Sequence, residues 1–329
     1  MSNKIIRWGI LGVGNIAHKF AEGLKVVPNS ELFAVGSRNF QKAQEFGNHY
    51  NISKSYGSYE ELASDPEVDV IYIATPHNLH FSNTMMCLEK GKNVLCEKPF
   101  AVNGREVRQM IAKAREKNLF LMEAMWSRFI PHIIKAKEMI DSGLIGDVKL
   151  LKADFGINFP FDEKNRVFNR QLIGGSLMDI GIYPVFLSLF LLGKPKSCVS
   201  VAGIGVTKVD NNCSIGFSYE KDLISVLYSS VVAKTDVTAE IHGTKGKIIF
   251  DEWWFTPVSF HHIDEHGNRN TIQMEFKGNG YNYEAEEVVN CLLEGNKQSD
   301  KMSWADSLLL IDQLDEIRKQ CNITYPDHD

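Results

Sequence analysis

No C-x-x-C pair occurs among the six cysteines of this 329-residue chain. They are scattered through apolar runs (Cys87, Cys96, Cys198, Cys213, Cys291, Cys321), which excludes a zinc ribbon or a disulfide scaffold and suggests buried, reduced thiols. Charge of one sign is also lacking. Thirty-six Lys and Arg face 41 Asp and Glu, a net of -5, which excludes a broad nucleic-acid or polyanion surface but not a local basic pocket. No run is expected to reach the ~20 apolar residues that cross a bilayer. Met1-Ser2-Asn3-Lys4 leads into a strand without a cleavage site, so we expect no secretory signal, no membrane partner and a cytoplasmic location. Repeats and low-complexity linkers are absent too. What is present is a globular balance, 44% hydrophobic and 23% charged, in a chain long enough for two domains.

Residues 1–124 alternate short apolar strands with amphipathic helices, the pattern of a doubly wound parallel sheet. Five strands are expected, over 5–11, 31–36, 68–74, 93–97 and 119–123. Residues 125–329 are strand-rich, with helices at 131–142, 176–192, 283–294 and 304–320. This half reads as an α+β domain on a large, open, mainly antiparallel sheet. The final helix is free to pack back on the first domain.

Gly12-Val13-Gly14-Asn15-Ile16-Ala17 fits G-x-G-x-x-A between a strand and a helix. The first glycine permits the tight turn, the second lets backbone approach a pyrophosphate, and the small Ala17 allows close helix packing. Gly12, Gly14, Asn15 and Ile16 are therefore candidate dinucleotide contacts. The second strand ends Val35-Gly36-Ser37-Arg38-Asn39, without the acid that usually receives the ribose hydroxyls of NAD. Ser37 and Arg38 suit a 2′-phosphate instead, which favours NADP with NAD possible; the bland reading of Arg38 is a solvated loop charge.

Glu97-Lys98-Pro99 closes the fourth strand, placing Lys98 at the carboxyl edge of the sheet, where ligands bind in this architecture. Such a lysine serves either catalysis or the surface. Asp179 and Tyr183 are four apart on an otherwise apolar helix. They are either a core pair or part of a proton-transfer set in which a lysine lowers the phenol's pKa.

The chain resembles the glucose-fructose oxidoreductase/inositol dehydrogenase (Gfo/Idh/MocA) family. The carriers are the glycine turn, Ala74-Thr75-Pro76-His77-Asn78-Leu79-His80, Gly91 through Pro99, and Gly174 through Tyr183. Cys96-Glu97-Lys98-Pro99, Glu123 through Phe129 and Asp179 through Tyr183 most resemble the branch of dimeric dihydrodiol and NADP-dependent D-xylose dehydrogenases. Many family members carry His where Tyr183 stands, a departure that disfavours inositol dehydrogenase itself. The resemblance implies a Rossmann domain, Lys98 as catalytic lysine, and Thr75, Pro76, His80 and Glu97 on the cofactor side. It implies Trp126, Arg128 and Phe155 along the substrate, although Trp126 equally suits packing between domains.

The expected activity is NADP-dependent hydride transfer to or from a hydroxyl-bearing carbon of a sugar, polyol or trans-dihydrodiol. Tyr183 takes the proton, Lys98 holds the oxygen, and Asp179 orients substrate or Lys98. Alternatives are a reductase of oxo-sugars on the same fold and a non-catalytic NADP sensor or scaffold. The family implies a homodimer or homotetramer through the second sheet. No metal is expected: the histidines of His261-His262-Ile263-Asp264-Glu265-His266 alternate faces in a hairpin. Trp253-Trp254-Phe255 fits a subunit contact, a cleft wall or sheet packing.

Overall fold

The structure is a computed structural model that describes residues 4–329. The chain forms two compact units: residues 1–126 with 277–308, and residues 127–276 with 309–329. The chain crosses between them at 126/127, beside the boundary expected near residue 124, and again at 276/277 and 308/309. The reason lies in a late helix, α8 (Tyr281–Glu294), which packs on α1 (Asn15–Leu24) of the first unit. Gly23 makes room for it: a Cβ there would lie 2.7 Å from Asn279 Oδ1 and 3.0 Å from Asn282 N. Asn279 also donates to the Lys19 carbonyl at 2.7 Å.

The first unit holds a six-stranded parallel sheet in the order β3-β2-β1-β4-β5-β6. Its strands are β1 (Ile6–Leu11), β2 (Ser30–Gly36), β3 (Lys54–Tyr56), β4 (Val70–Ile73), β5 (Asn93–Glu97) and β6 (Leu121–Ala124). The connecting helices after α1 are α2 (Phe40–Tyr50), α3 (Tyr59–Ser64), α4 (His80–Glu89) and α5 (Gly104–Lys117). β4 and β6 are buried throughout, as a sheet covered on both faces requires. Side chains start the helices: Asn39, Ser58 and Asn103 each accept a first-turn N–H of α2, α3 and α5. β3 and α3 add a sixth strand and a helix to the five strands expected. Lys-Ser-Tyr and a six-residue polar helix are too short to show a period.

The second unit holds an eight-stranded sheet in the order β14-β13-β12-β11-β7-β10-β9-β8. Its strands are β7 (Val148–Gly156), β8 (Ser197–Ile204), β9 (Asp210–Ser218), β10 (Ile224–Ser230), β11 (Ala239–Gly243), β12 (Gly246–Phe250), β13 (Phe260–Asp264) and β14 (Arg269–Ile272). β7 and β10 run parallel; the other neighbours are antiparallel. The helices are α6 (Pro131–Asp141), α7 (Ile182–Leu192) and most of α9 (Trp304–Cys321), which begins in the first unit.

Alternation sorts this sheet into two faces. Leu151, Ala153, Cys213, Ile215, Phe217 and Leu227 point inward and are buried. On the other face Val199, Gly216 and Val226 lie in register, as do Val201, Ser214 and Tyr228. Val199 and Val201 are 70% and 68% exposed there, an apolar surface facing solvent.

One expectation is corrected. Residues Arg170–Leu192 contain an 18-residue window of mean hydropathy 1.7 and are long and apolar enough to cross a membrane by length and composition. The apolar stretch is instead the core helix of the second unit, 89% buried, packed on β7 and β10. A helix apolar all round reads alike in either setting.

Candidate functional site

The glycine turn joins β1 to α1. Gly12 has φ +99°, and a Cβ there would press to 3.0 Å from the Ala74 carbonyl oxygen, so only glycine fits. Gly14 differs: a Cβ there would meet nothing within 4 Å, and the residue caps α1 without a side-chain bond. Open space thus faces the N–H groups that start α1. The first turn carries no acid, so its positive end is uncompensated. A pyrophosphate fits this cradle. Ala17 is fully buried against the sheet, while Asn15 stays exposed and Ile16 half-buried.

At the end of β2, Ser37 is buried and its hydroxyl accepts the Asn39 N–H at 3.2 Å. Arg38 is exposed beside it, and no acid stands at this strand end.

β5 delivers Lys98 to the carboxyl edge of the same sheet. The Lys98–Pro99 peptide is cis. Glu97, buried, accepts the Lys98 N–H at 3.1 Å with one oxygen and the Tyr72 hydroxyl with the other. Tyr72 is fully buried and stacks on Phe20, with ring centroids 3.7 Å apart. His80 lies at the start of α4 with no exposed surface. Its Nε2 is 2.9 Å from the Thr75 carbonyl oxygen and its Nδ1 2.7 Å from that of Pro99. It therefore supports the two loops from beneath. Thr75 is buried, receives the Asn83 amide at 3.0 Å, and is in reach of the Gly12 turn. Gly12, Thr75, Pro76, Glu97 and Lys98 thus gather at one sheet edge, with His80 behind them.

Two further carboxyls lie here that sequence reasoning missed. Glu123 is the penultimate residue of β6, is 2% exposed, and accepts the Phe100 N–H at 3.0 Å. Burial pushes its pKa up to about 7, and the nearby Glu97 adds to the rise. Glu284 of α8 is fully buried, and neither carboxyl oxygen has a hydrogen-bond partner. Burial, then the nearness of Glu97, raise its pKa well above the usual carboxylate range, so it stays protonated.

The second unit gathers Asp179, Tyr183 and Phe155. Leu177–Gly181 is a π-helical turn that runs into α7, so Asp179 sits in the wider turn and Tyr183 in the first turn of the α-helix. Arg166 donates to Asp179 at 2.9 Å, a partner the sequence did not suggest. Asp210, the first residue of β9, accepts the Leu177 N–H at 2.6 Å and anchors the turn. It too is fully buried and pushed up to about 7 by that burial. Phe155 stands edge-on to Tyr183 at 5.5 Å and stacks on Phe255 at 4.4 Å. Trp253 completes this aromatic wall, at 6.0 Å from both phenylalanines. Of the Trp253-Trp254-Phe255 run, Trp254 alone is fully buried, its indole donating to the Asp154 carbonyl.

Two residues expected along the substrate are engaged elsewhere. Trp126 is 5% exposed and stacks on Tyr281, with centroids 4.5 Å apart, as packing within the first unit. The Arg128 guanidinium lies 4.2 Å over the ring of Phe190, two turns along α7 from Tyr183. His261 bridges Asp251 at 2.9 Å and Thr271 at 3.0 Å, a strand-to-strand tie.

Residues 6–125 match the oxidoreductase family with NAD-binding Rossmann fold (GFO_IDH_MocA), and residues 133–249 match the GFO/IDH/MocA C-terminal domain. The chain belongs to the Gfo/Idh/MocA oxidoreductase family. Relatives in this family include the trans-1,2-dihydrobenzene-1,2-diol dehydrogenase of Xenopus tropicalis, 39% identical over 97% of this chain and 99% of its own length. The mouse and human enzymes of that name are 40% and 38% identical, each over 98% of both chains. Among solved structures, a 3-ketoreductase from Actinomadura kijaniata in complex with NADP and TDP-benzene superposes with a TM-score of 0.88 at 24% identity, covering 97% of this chain and 98% of its own. An aldose-aldose oxidoreductase from Caulobacter crescentus complexed with glycerol gives 0.86 at 24% identity over the same shares. At that identity the likeness establishes the fold.

Proposed function

We propose that this Gfo/Idh/MocA oxidoreductase is an NADP-dependent dehydrogenase of trans-dihydrodiols, with sugars and polyols as the neighbouring substrate classes. The observation that carries the reading is the Lys98 turn at the carboxyl edge of the Rossmann sheet, beside a glycine turn open to a pyrophosphate. The full-length relatives named for dihydrodiol oxidation support it. NADP is favoured over NAD because Arg38, not a carboxylate, stands at the end of β2.

When bound, the nicotinamide supplies a two-electron acceptor. The chain's own residues manage the proton. Tyr183 takes the proton of the substrate hydroxyl while the carbon gives up hydride, leaving a carbonyl. The Lys98 ammonium holds the oxygen and favours the phenolate. Asp179, paired with Arg166, orients the substrate's second hydroxyl. Phe155 and Phe255 pack around the Tyr183 ring and shield it from water.

Lys98→Met and Tyr183→Phe are each expected to lower kcat by about 10²–10⁴ while NADP still binds. Intact turnover in either variant would sink the assignment. A panel of trans-dihydrodiols, sugars and polyols with NADP or NAD, followed at the nicotinamide absorbance, tests the substrate class. Silence across the panel would favour a non-catalytic role.

We also propose a homodimer through the exposed face of the second sheet, supported by Val199, Val201, Ile224 and Val226. Val201→Lys should then yield a monomer in analytical ultracentrifugation; an unchanged mass would argue for another interface. The six unpaired cysteines, five of them buried, suit a reducing compartment such as the cytoplasm.

A further inference from the structure

The turn that carries Lys98 is gripped at consecutive backbone groups by side chains. The Lys98 N–H goes to Glu97 at 3.1 Å, the Pro99 carbonyl faces His80 at 2.7 Å, and the Phe100 N–H goes to Glu123 at 3.0 Å. The Cys96 thiol donates to the Phe100 carbonyl at 3.7 Å. Two of these bonds, to Glu97 and Cys96, come from β5, the strand that leads into the turn. The other two come from outside it, from α4 and from β6. Glu123 is thus the tie between the Lys98 turn and the neighbouring strand.

Burying a carboxyl costs stability, and apolar residues of similar volume usually pack there more favourably. Glu123 is 2% exposed, with the Ser307 hydroxyl beside its carboxyl and no partner in hydrogen-bond geometry on its Oε2. An acid at such a position is best explained by what its first oxygen holds.

We propose that Glu123 is a positioning residue: by fixing the Phe100 N–H it sets where the Lys98 ammonium stands. This rests on the assignment of Lys98 to catalysis. An error of about 1 Å in placing a reacting group costs on the order of a hundredfold in rate, so a tie two residues away is felt at the reacting carbon. Glu97 places the backbone N–H of Lys98, and Glu123 stops the turn from rotating about it.

Two substitutions separate reach from charge. Glu123→Asp keeps the charge but withdraws the oxygen by one methylene. Glu123→Gln keeps the reach and an amide oxygen that accepts the same N–H. In full-length protein with NADP and a trans-dihydrodiol, Glu123→Asp should lower kcat by about tenfold to a hundredfold, with the NADP dissociation constant moved less than about threefold. Glu123→Gln should retain most of kcat. The proposal is overturned if Glu123→Asp keeps full kcat, if Glu123→Gln falls as far as Asp, or if NADP affinity alone changes.

A Lys98→Met background completes the test. There Glu123→Asp should cause no further loss of turnover, whereas an additional independent loss means that Glu123 acts on the fold generally. Full turnover in Lys98→Met alone would instead remove the catalytic assignment of the lysine. That failure is distinct from one in which Lys98→Met is dead and Glu123→Asp is fully active. Amide exchange needs no variant: the Phe100 N–H should exchange as slowly as the β5 and β6 core, and fast exchange overturns the tie.

Discussion

The Lys98 turn and the Asp179–Tyr183 helix start are held by the same physical device in different settings. In each, a buried carboxyl pushed up to about 7 receives a backbone N–H at the base of the functional residue. In the first unit the carboxyl, Glu123, is the penultimate residue of the strand next to β5. A parallel sheet sets the carboxyl ends of neighbouring strands side by side, so the topology alone brings anchor and turn together. In the second unit the anchor is Asp210, 33 residues beyond Leu177 and at the beginning of a strand. An antiparallel sheet does not collect like ends at one edge. The second anchor is instead fitted closely to its turn: it also meets Ser176, and a Cβ on Gly175 would lie 2.1 Å from Asp210 Oδ1.

Loss of the second anchor should have the largest effect. Asp210→Ala leaves the Leu177 N–H without its acceptor and should destabilise the chain by about 2–3 kcal/mol in urea melts. Unchanged stability would show that Asp210 does not hold the turn.

A pH series tests both anchors together. Glu123 is raised from 4.5 to about 7 and Asp210 from 3.8 to about 7. The folded chain therefore holds these protons more tightly than the unfolded chain. Their contribution is full below about pH 4 and is lost as pH rises through about 7, roughly 3–4 kcal/mol per group. Melting temperature should fall between pH 5 and 8, and Glu123→Gln with Asp210→Asn should flatten that slope. A slope that survives both changes belongs to other groups.

The first unit's exposed charge makes a smaller difference. Arg38→Ala should raise the KM for NADP by about tenfold to a hundredfold and leave that for NAD within about twofold, read as the ratio of kcat/KM values. Equal losses for both cofactors would return Arg38 to the solvated surface. Smallest of all, Arg166→Ala should lower kcat by about three- to tenfold by releasing the Asp179 carboxylate. An unaltered kcat would make the pair purely structural.

Much of the first unit was legible. The G-x-G-x-x-A turn, the strand–helix alternation and Glu97-Lys98-Pro99 are local signals, and parallel topology converts local strand ends into one edge. Glu123 opens the Glu123–Phe129 stretch, but nothing in the linear sequence shows an acid buried with a backbone N–H for its partner. The role of His80 was half legible. Its place beside the cofactor loop followed from position, whereas its two carbonyl partners come from loops 5 and 19 residues away. Asp210 and Arg166 carried no signal, because each meets the π-helical turn from a distant point in the chain, 33 residues from Leu177 and 13 from Asp179, which periodicity does not encode. The return of residues 277–308 to the first unit was half legible: the final helix was expected there, whereas α8 covers α1, since an amphipathic helix does not name the surface it covers.

The apolar segment 170–192 has a consequence for how the protein is made. On the ribosome it emerges before β10, one of the strands that bury it, and β10 ends only at Ser230. β7 waits longer, since its antiparallel partner β11 ends at Gly243. At about 5–20 residues per second, that leaves a membrane-like stretch uncovered for several seconds. Nascent chains stalled near residue 230, with the segment outside the ribosome and β10 still within it, should bind ribosome-associated chaperones strongly and those stalled past residue 280 weakly. Equal binding at both lengths would mean that the helix finds cover before its sheet exists.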